Sequence, residues 1–135
     1  MNELTKTVSK RIVIANDLDI INARLQAREV ARDMGFGTID QARISLAASE
    51  LARILLADLN NPGEIHIAGV HTDGHVGIQV TSFDASEPNS NGSVQVKTEA
   101  VQNSALTNAM SLVDESLVEQ VGPKSTRITL MKWLT

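Results

Sequence analysis

The segment best suited to chemistry in this sequence lies between residues 40 and 53, where charged side chains border an apolar helical stripe. On a helix, Glu50 lies about 120° from Ile44 and Arg43 about 100° from it, on the same side. A carboxylate at the edge of a core-facing stripe can act as a general base in a cleft. It can equally reach water beside Arg53, the usual situation of a charged helix residue. On the residues alone, both interpretations stay open.

The histidines are a second group that could do chemistry. His71 and His75 flank an Asp-Gly turn, and His66 lies on the predicted strand before it. A zinc site needs three or four ligands, and Asp73 is the only further candidate nearby. Because polar residues at hairpin tips are mostly exposed, the pattern favours surface histidines and no metal site.

Other reaction centres are excluded by composition. The chain has 135 residues and no Cys, which rules out disulfides, thiolate metal sites and cysteine nucleophiles. No Gly-x-Ser-x-Gly elbow, Ser-His-Asp order or phosphate-loop motif occurs.

Charge and aromatic content exclude further classes of function. Lys and Arg number 12 against 16 Asp and Glu, and the net charge of -4 offers no basic excess for phosphates. Phe36, Phe83 and Trp133 are the only aromatic residues, too few for a base-stacking surface. No apolar run approaches the ~18 residues needed to span a bilayer. We therefore expect no nucleic-acid partner, no membrane span, and a single cytoplasmic domain over residues 1–135.

The elements that must position these side chains follow from periodicity. A first helix begins after the N-cap Asn16-Asp17 and stops at Gly35. A second begins near Thr38 or Asp40 and runs to about Leu59, and Thr38 with Gln41 fits a capping box. The apolar positions of the first helix are Ile20, Ile21, Ala23, Leu25, Ala27, Val30, Ala31 and Met34. Strands are predicted at Val8–Ala15, around Ile65–Val70, at Val76–Val80, at Leu117–Val121 and at Thr126–Trp133, with a third helix over Ala100–Glu115 and a short extended piece at Val94–Lys97.

This order, β-α-α-β-β-loop-α-β-β, predicts the fold class. Strands grouped in hairpins with helices between them indicate an α+β two-layer sandwich. Its mixed, mostly antiparallel sheet would carry helices on one face.

Two stretches carry a resemblance to a known family. They are Ala23–Phe36, and Asp40–Ile44 followed by Ser49–Arg53. They resemble the anti-sigma and switch protein-serine kinases of bacterial partner-switching systems, which have the histidine-kinase-like (GHKL, Bergerat-fold) ATPase domain. The likeness is strongest to the switch kinases of the stressosome pathway. The segments Leu112–Glu115 and Ser125–Trp133 resemble the family's last helix and hairpin.

The resemblance implies roles for three residues. Glu50 matches the family's helix glutamate, the general base that orients the attacking hydroxyl. Asp84 matches the aspartate that reads the adenine amino group, and Thr126 matches the threonine beside it. A carboxylate such as Asp84 can accept a hydrogen bond from the adenine amino group, and a helix carboxylate such as Glu50 can accept a proton.

Three departures from the family's pattern concern the metal and the phosphates. Ile54 stands where the family has the asparagine that holds Mg²⁺, and an alkyl group has no oxygen to offer a hard cation. After Asp84 the chain reads Ala-Ser-Glu-Pro instead of the family's Gly-x-Gly turn, and Val94–Leu106 contains no glycine for a phosphate-cradling lid. We therefore expect no metal and no nucleotide cofactor, with Glu50, Asp84 and Thr126 vestigial.

The resulting functional expectation is a degenerate family member that acts by protein–protein interaction. The expected partner is an STAS-domain antagonist or scaffold, or a downstream regulator, docked near the second helix and the nucleotide cleft. The arginines available for pairing are Arg24, Arg28, Arg43 and Arg53. The alternative is an active protein-serine kinase that uses ATP and Mg²⁺, with Glu87 or Asp84 supplying metal contacts. A third interpretation is a structural or dimerisation unit that keeps only the fold; the sequence does not reveal self-association.

Overall fold

In the computed structural model, an antiparallel sheet carries helices on one of its faces. The structure describes residues 5–57, 63–84, 104–122 and 125–134. The elements are β1 (Thr5–Ile14), α1 (Asp17–Asp33), α2 (Thr38–Leu56), β2 (Gly63–Thr72), β3 (His75–Asp84), α3 (Ser104–Ser111), β4 (Glu115–Gly122) and β5 (Ser125–Trp133).

Within the described residues the strands form one sheet in the order β1-β2-β3-β5-β4, and the pairings between neighbours are antiparallel. The predicted α+β two-layer class and the order of its elements are confirmed. The Asp73-Gly74 turn joins β2 to β3 as predicted, with Gly74 at φ 78°, a value that glycine adopts without strain. The predicted extended piece at Val94–Lys97 lies outside the described residues.

The start and the end of α1 are both encoded locally. The Asn16 side chain accepts hydrogen bonds from the backbone N–H groups of Leu18 and Asp19, and the Asp19 carboxylate accepts one from the Asn16 N–H. This capping box satisfies donors that the first helical turn leaves free. At the other end Gly35 takes φ 97° after the C-cap Met34, so the chain turns sharply where the sequence predicts it.

The capping box predicted for α2 is wrong. Gly37 is the N-cap, Thr38 is the first helical residue, and no side chain of the described residues caps this end. The Gln41 amide instead donates to the Phe36 carbonyl at 2.8 Å, so it stabilises the turn before the helix. The predicted helix end near Leu59 lies outside the described residues.

The third helix is shorter than predicted at its C-terminus. It ends at Ser111, and β4 already begins at Glu115. The Asp114 N–H donates to the Met131 carbonyl, and the Asp114 carboxylate accepts from the Trp133 N–H at 2.7 Å. Pairing with β5 therefore takes these residues into the sheet and overrides their helical periodicity.

The core between the helices and the sheet is aliphatic, as the composition predicts. Of the apolar positions predicted on α1, Ala23, Ala27 and Val30 are fully buried, whereas Ile21 and Leu25 are exposed. A smaller cluster of Ala68, Val70, Met131 and Trp133 packs separately from this core. Among the helices of the described ranges, none combines the length and the apolar character needed to cross a bilayer.

Candidate functional site

Glu50 lies past the middle of α2, about 60° around the helix from the fully buried Ala47 and thus at the edge of the buried side. It follows the fully buried Ala48 by two residues, which places it about 160° around the helix from that alanine. Its side chain is 19% exposed, and Oε2 lies 3.9 Å from the Arg53 Nε. The carboxylate is thus partly covered and also faces an exposed cation. This position is compatible with both roles considered for Glu50, a base in a cleft and a surface ion pair.

Ile54 follows Glu50 by one helical turn and belongs to the hydrophobic packing of the domain. It is partly buried and contacts the main core cluster. The position at which the resemblance leads us to expect a Mg²⁺ ligand therefore carries an alkyl side chain that contributes to the core. These residues do not fit a bound Mg²⁺, because the cation needs oxygen ligands in near-octahedral geometry.

Asp84 and Thr126 lie at the same end of the sheet, on neighbouring strands. The β3–β5 pairing runs from Gly77 opposite Trp133 to Ser82 opposite Ile128. The same register continued by two residues places Asp84 opposite Thr126. Both side chains are half-buried, and Asp84 is also opposite Gly63 on β2. The sequence-based expectation that this aspartate and threonine are neighbours agrees with this register.

The contact of α2 with this end of the sheet depends on Gly63. A Cβ atom at Gly63 would lie 2.5 Å from the Phe83 carbonyl oxygen and 2.7 Å from Cδ2 of Leu55. Because glycine lacks that atom, the last turn of α2 can pack against β2 beside the end of β3. Glu50 precedes Leu55 by five residues, or about 7.5 Å along the helix axis. The fold therefore holds Glu50 on the helix that packs beside the Asp84 end of β3.

Ser82 is a polar residue at this end that sequence reasoning missed. It is 1% exposed, and its Oγ atom has no hydrogen-bond partner among the described residues. Along an alternating strand it shares a face with Asp84. An unpaired buried hydroxyl normally costs free energy, so it is a group that a polar ligand could satisfy. The signal available in the sequence was a serine at an inward-facing strand position.

The four arginines proposed for partner binding divide into two groups. Arg43 lies 3.3 Å from the Asp40 carboxylate, and Arg53 pairs with Glu50. Arg24 and Arg28 on α1 make no ion pair within the described residues, and neither does Arg32, which sequence reasoning did not single out. The α1 arginines are therefore the ones with charge to offer a partner.

The histidines form no common site within the described ranges. The His66 Nε2 lies 2.9 Å from the Glu64 Oε1, and its ring lies 4.2 Å from that of Phe83. His75 instead contacts the Asp73 carbonyl through Nδ1 and faces Trp133 edge-on. No group of three or more His, Asp or Glu side chains that could hold a metal ion occurs in the described part of the chain.

Some predicted site residues lie outside the described residues. They are Glu87, the rest of the Ala85–Pro88 turn, and the glycine-free stretch from Val94 to residue 103. Their roles remain predictions from the sequence.

The fold agrees with one class of protein. A two-layer α+β domain of this element order is compatible with the kinase-like ATPase domain that the resemblance implies. The sheet order and the helices on one face agree with that class.

Comparison with known proteins identifies the family. The chain is 34% identical over 125 residues to the serine/threonine-protein kinase RsbT of Bacillus subtilis (strain 168), an alignment that covers 90% of this chain and 93% of that kinase. No protein-family model matches the chain. The identity and coverage show that the chain belongs to the family of switch protein-serine kinases related to RsbT.

Proposed function

We propose that this chain is a kinase-like regulator that acts through protein–protein interaction in a bacterial partner-switching system of the stress response, with phosphoryl transfer lost. The observation that carries the proposal is Ile54, which packs against the core where the family has its Mg²⁺ ligand. Phosphoryl transfer depends almost entirely on positioning and on charge stabilisation by the metal. A domain without that ligand keeps the fold of a kinase but cannot hold the Mg²⁺ ion that offsets the negative charge of the phosphates.

The proposed partner is an STAS-domain antagonist or scaffold, or a downstream regulator of the same system. The relationship to RsbT supports this choice of system. The α1 arginines support binding to a protein surface, because their charges are not used within the described part of the fold.

Isothermal titration calorimetry with ATP and Mg²⁺ tests the loss of nucleotide chemistry. We expect no heat of binding at micromolar concentrations of the chain. Micromolar binding that requires Mg²⁺ would overturn the proposal.

The second candidate function is an active protein-serine kinase. It is favoured by Asp84 and Thr126, which lie at the same end of the neighbouring strands β3 and β5, and by the buried Ser82 hydroxyl, which has no hydrogen-bond partner among the described residues. Together these groups suit recognition of an adenine edge. In this case Glu50 would hold the proton of the attacking serine hydroxyl.

A radiolabelled phosphorylation assay on a purified STAS-domain protein separates the two candidates. Under our proposal no label is transferred by the wild type. Activity that Glu50→Gln abolishes, and that the matched control Glu29→Gln on α1 leaves intact, would establish the kinase instead.

A further inference from the structure

The outer surface of α1 carries an exposed apolar row. Leu18, Ile21 and Leu25 are 73%, 48% and 59% exposed. Their spacings of three and four residues place them within about 60° of one another on the helix. We call these three residues the outer row of α1.

The outer row lies opposite the buried side of the helix. The fully buried Ala23, Ala27 and Val30 of α1 pack into the core. From Leu25, Ala27 is about 160° around the helix, so the row points away from the sheet and α2 does not cover it. Contiguous apolar side chains exposed in this way mark interaction surfaces, whereas isolated ones are common on any protein.

A row of arginines runs beside the outer row. Arg24, Arg28 and Arg32 follow one another at intervals of four residues, so they lie along one side of α1. Arg28 and Arg32 are exposed, and the Arg24 Nε is buried without a hydrogen-bond partner among the described residues.

These arginines differ from the other arginines of the chain. Each of the others lies within 4.0 Å of a carboxylate: Arg11 with Glu64, Arg43 with Asp40, Arg53 with Glu50 and Arg127 with Glu119. In the described ranges, the arginines of α1 alone have no such partner. The surface thus presents an apolar row and an uncompensated basic row side by side.

We propose that the outer face of α1 docks an amphipathic helix of a partner protein, whose apolar row contacts Leu18, Ile21 and Leu25 and whose flanking Asp or Glu side chains pair with Arg24, Arg28 and Arg32. Charge complementarity carries the choice of occupant, because three cations at intervals of four residues match carboxylates at the same interval on a second helix. The inference rests on the proposed function. It places the docking surface on the outer face of α1, whereas the sequence-based expectation placed it near α2 and the nucleotide cleft.

A second copy of this chain is a poorer occupant. Parallel alignment of two α1 helices would set Arg28 against Arg28 and Arg32 against Arg32. Antiparallel alignment about Ile21 brings Asp17 towards the arginine row as its one carboxylate there. It leaves both Arg28 and Arg32 beyond the end of the other helix, which begins at Asp17. Neither arrangement supplies three carboxylates.

The test uses two synthetic peptides and the full chain. Both are 22-residue helical peptides with leucines at alternating three- and four-residue spacing, one flanked by glutamates and the other by lysines. By fluorescence anisotropy we expect the glutamate peptide to bind at least tenfold more tightly than the lysine peptide at low salt, and salt to weaken this binding. The triple variant R24E/R28E/R32E should reverse the preference.

Matched variants locate the binding surface. Leu25→Asp should weaken binding at least tenfold, whereas Leu117→Asp, at a position 55% exposed on β4, should leave it unchanged. Circular dichroism establishes that each variant is folded.

Three results would overturn the inference. They are no binding of the glutamate peptide, binding that the α1 variants leave unchanged, and self-association in light scattering that Leu25→Asp abolishes. Failure here is separate from failure of the proposed function, because Mg²⁺-dependent ATP binding would overturn only the latter.

Discussion

Ile54 lies one helical turn beyond Glu50 on α2, and its side chain packs against the core that α2 shares with the sheet. The residue at which the resemblance leads us to expect an asparagine is therefore part of the domain's packing. An asparagine at this position would replace apolar contacts with an amide group.

We expect Ile54→Asn to leave the chain without measurable affinity for ATP and Mg²⁺. One oxygen ligand does not replace the glycine-rich phosphate-binding segments that the resemblance leads us to expect, because the sequence has only Gly92 between Asp84 and α3. The amide should also lower the free energy of unfolding by about 1–3 kcal/mol, because it replaces buried apolar surface. Calorimetry and urea unfolding measure the two effects.

Ile39→Asn is the matched control for this substitution. Ile39 is also on α2 but is 69% exposed, so the same change should shift the unfolding free energy by no more than about 0.5 kcal/mol. If Ile54→Asn alone gave micromolar ATP binding, the absent glycines would matter less than we propose.

We expect Gly63→Ala to destabilise the end of the sheet that holds Asp84. The added methyl group would meet the Phe83 carbonyl and the Leu55 side chain. The carbonyl is fixed by the sheet and cannot give way, so overpacking should cost about 2 kcal/mol. Thermal and urea unfolding measure the loss.

Gly37→Ala is the control for the glycine substitution. No atom lies within 4 Å of the position that its Cβ would occupy, and its φ of -73° is open to any residue. Because Gly37 is the N-cap of α2 and alanine is a poorer N-cap than glycine, its substitution should cost no more than about 1 kcal/mol, less than Gly63→Ala. Equal losses for the two variants would contradict the packing argument.

Lys132 joins three elements through a nearly buried charge. Its Nζ atom lies 3.7 Å from the Asp40 carboxylate at the start of α2 and 3.6 Å from the Asp114 carboxylate before β4, and the side chain is 11% exposed. Either aspartate alone can offset the ammonium charge. We therefore expect Asp40→Asn and Asp114→Asn to be mild singly and to cost about 2–4 kcal/mol together, because the double variant leaves a buried cation unpaired.

A double-mutant cycle in urea measures this coupling. Additive losses would show that the two carboxylates act independently. The triple variant that also carries Lys132→Met should recover part of the loss, since it removes the unpaired charge.

The sequence predicts the parts of this fold that short-range signals control. Asn16 and Gly35 bound α1 where expected, since a cap and a left-handed glycine act within a few residues. The end of α3 was predicted wrongly because pairing with β5, which is distant in sequence, decides it.

The outer row of α1 was also missed, and for a different reason. Ile21 and Leu25 are as apolar as Ile20, so hydropathy alone groups all three among the apolar positions predicted to face the core. The structure instead buries the small Ala23 and Ala27, which fit close helix packing, and leaves the larger Leu25 outside. At the candidate site, the expectation that Asp84 and Thr126 are neighbours came from the family resemblance, and Ser82 had no motif to mark it.

The two helix N-termini predict opposite responses to mutation. Asn16→Ala removes a side chain that accepts from the N–H groups of Leu18 and Asp19, so it should lower the free energy of unfolding by about 1 kcal/mol. Gly37→Asn adds a cap where α2 has none, in open space and with suitable extended backbone, and should raise stability by a few tenths of a kcal/mol, up to about 1. Urea unfolding of both variants measures these two changes in stability. A loss of stability for Gly37→Asn would mean that the N–H groups at the start of α2 are already satisfied.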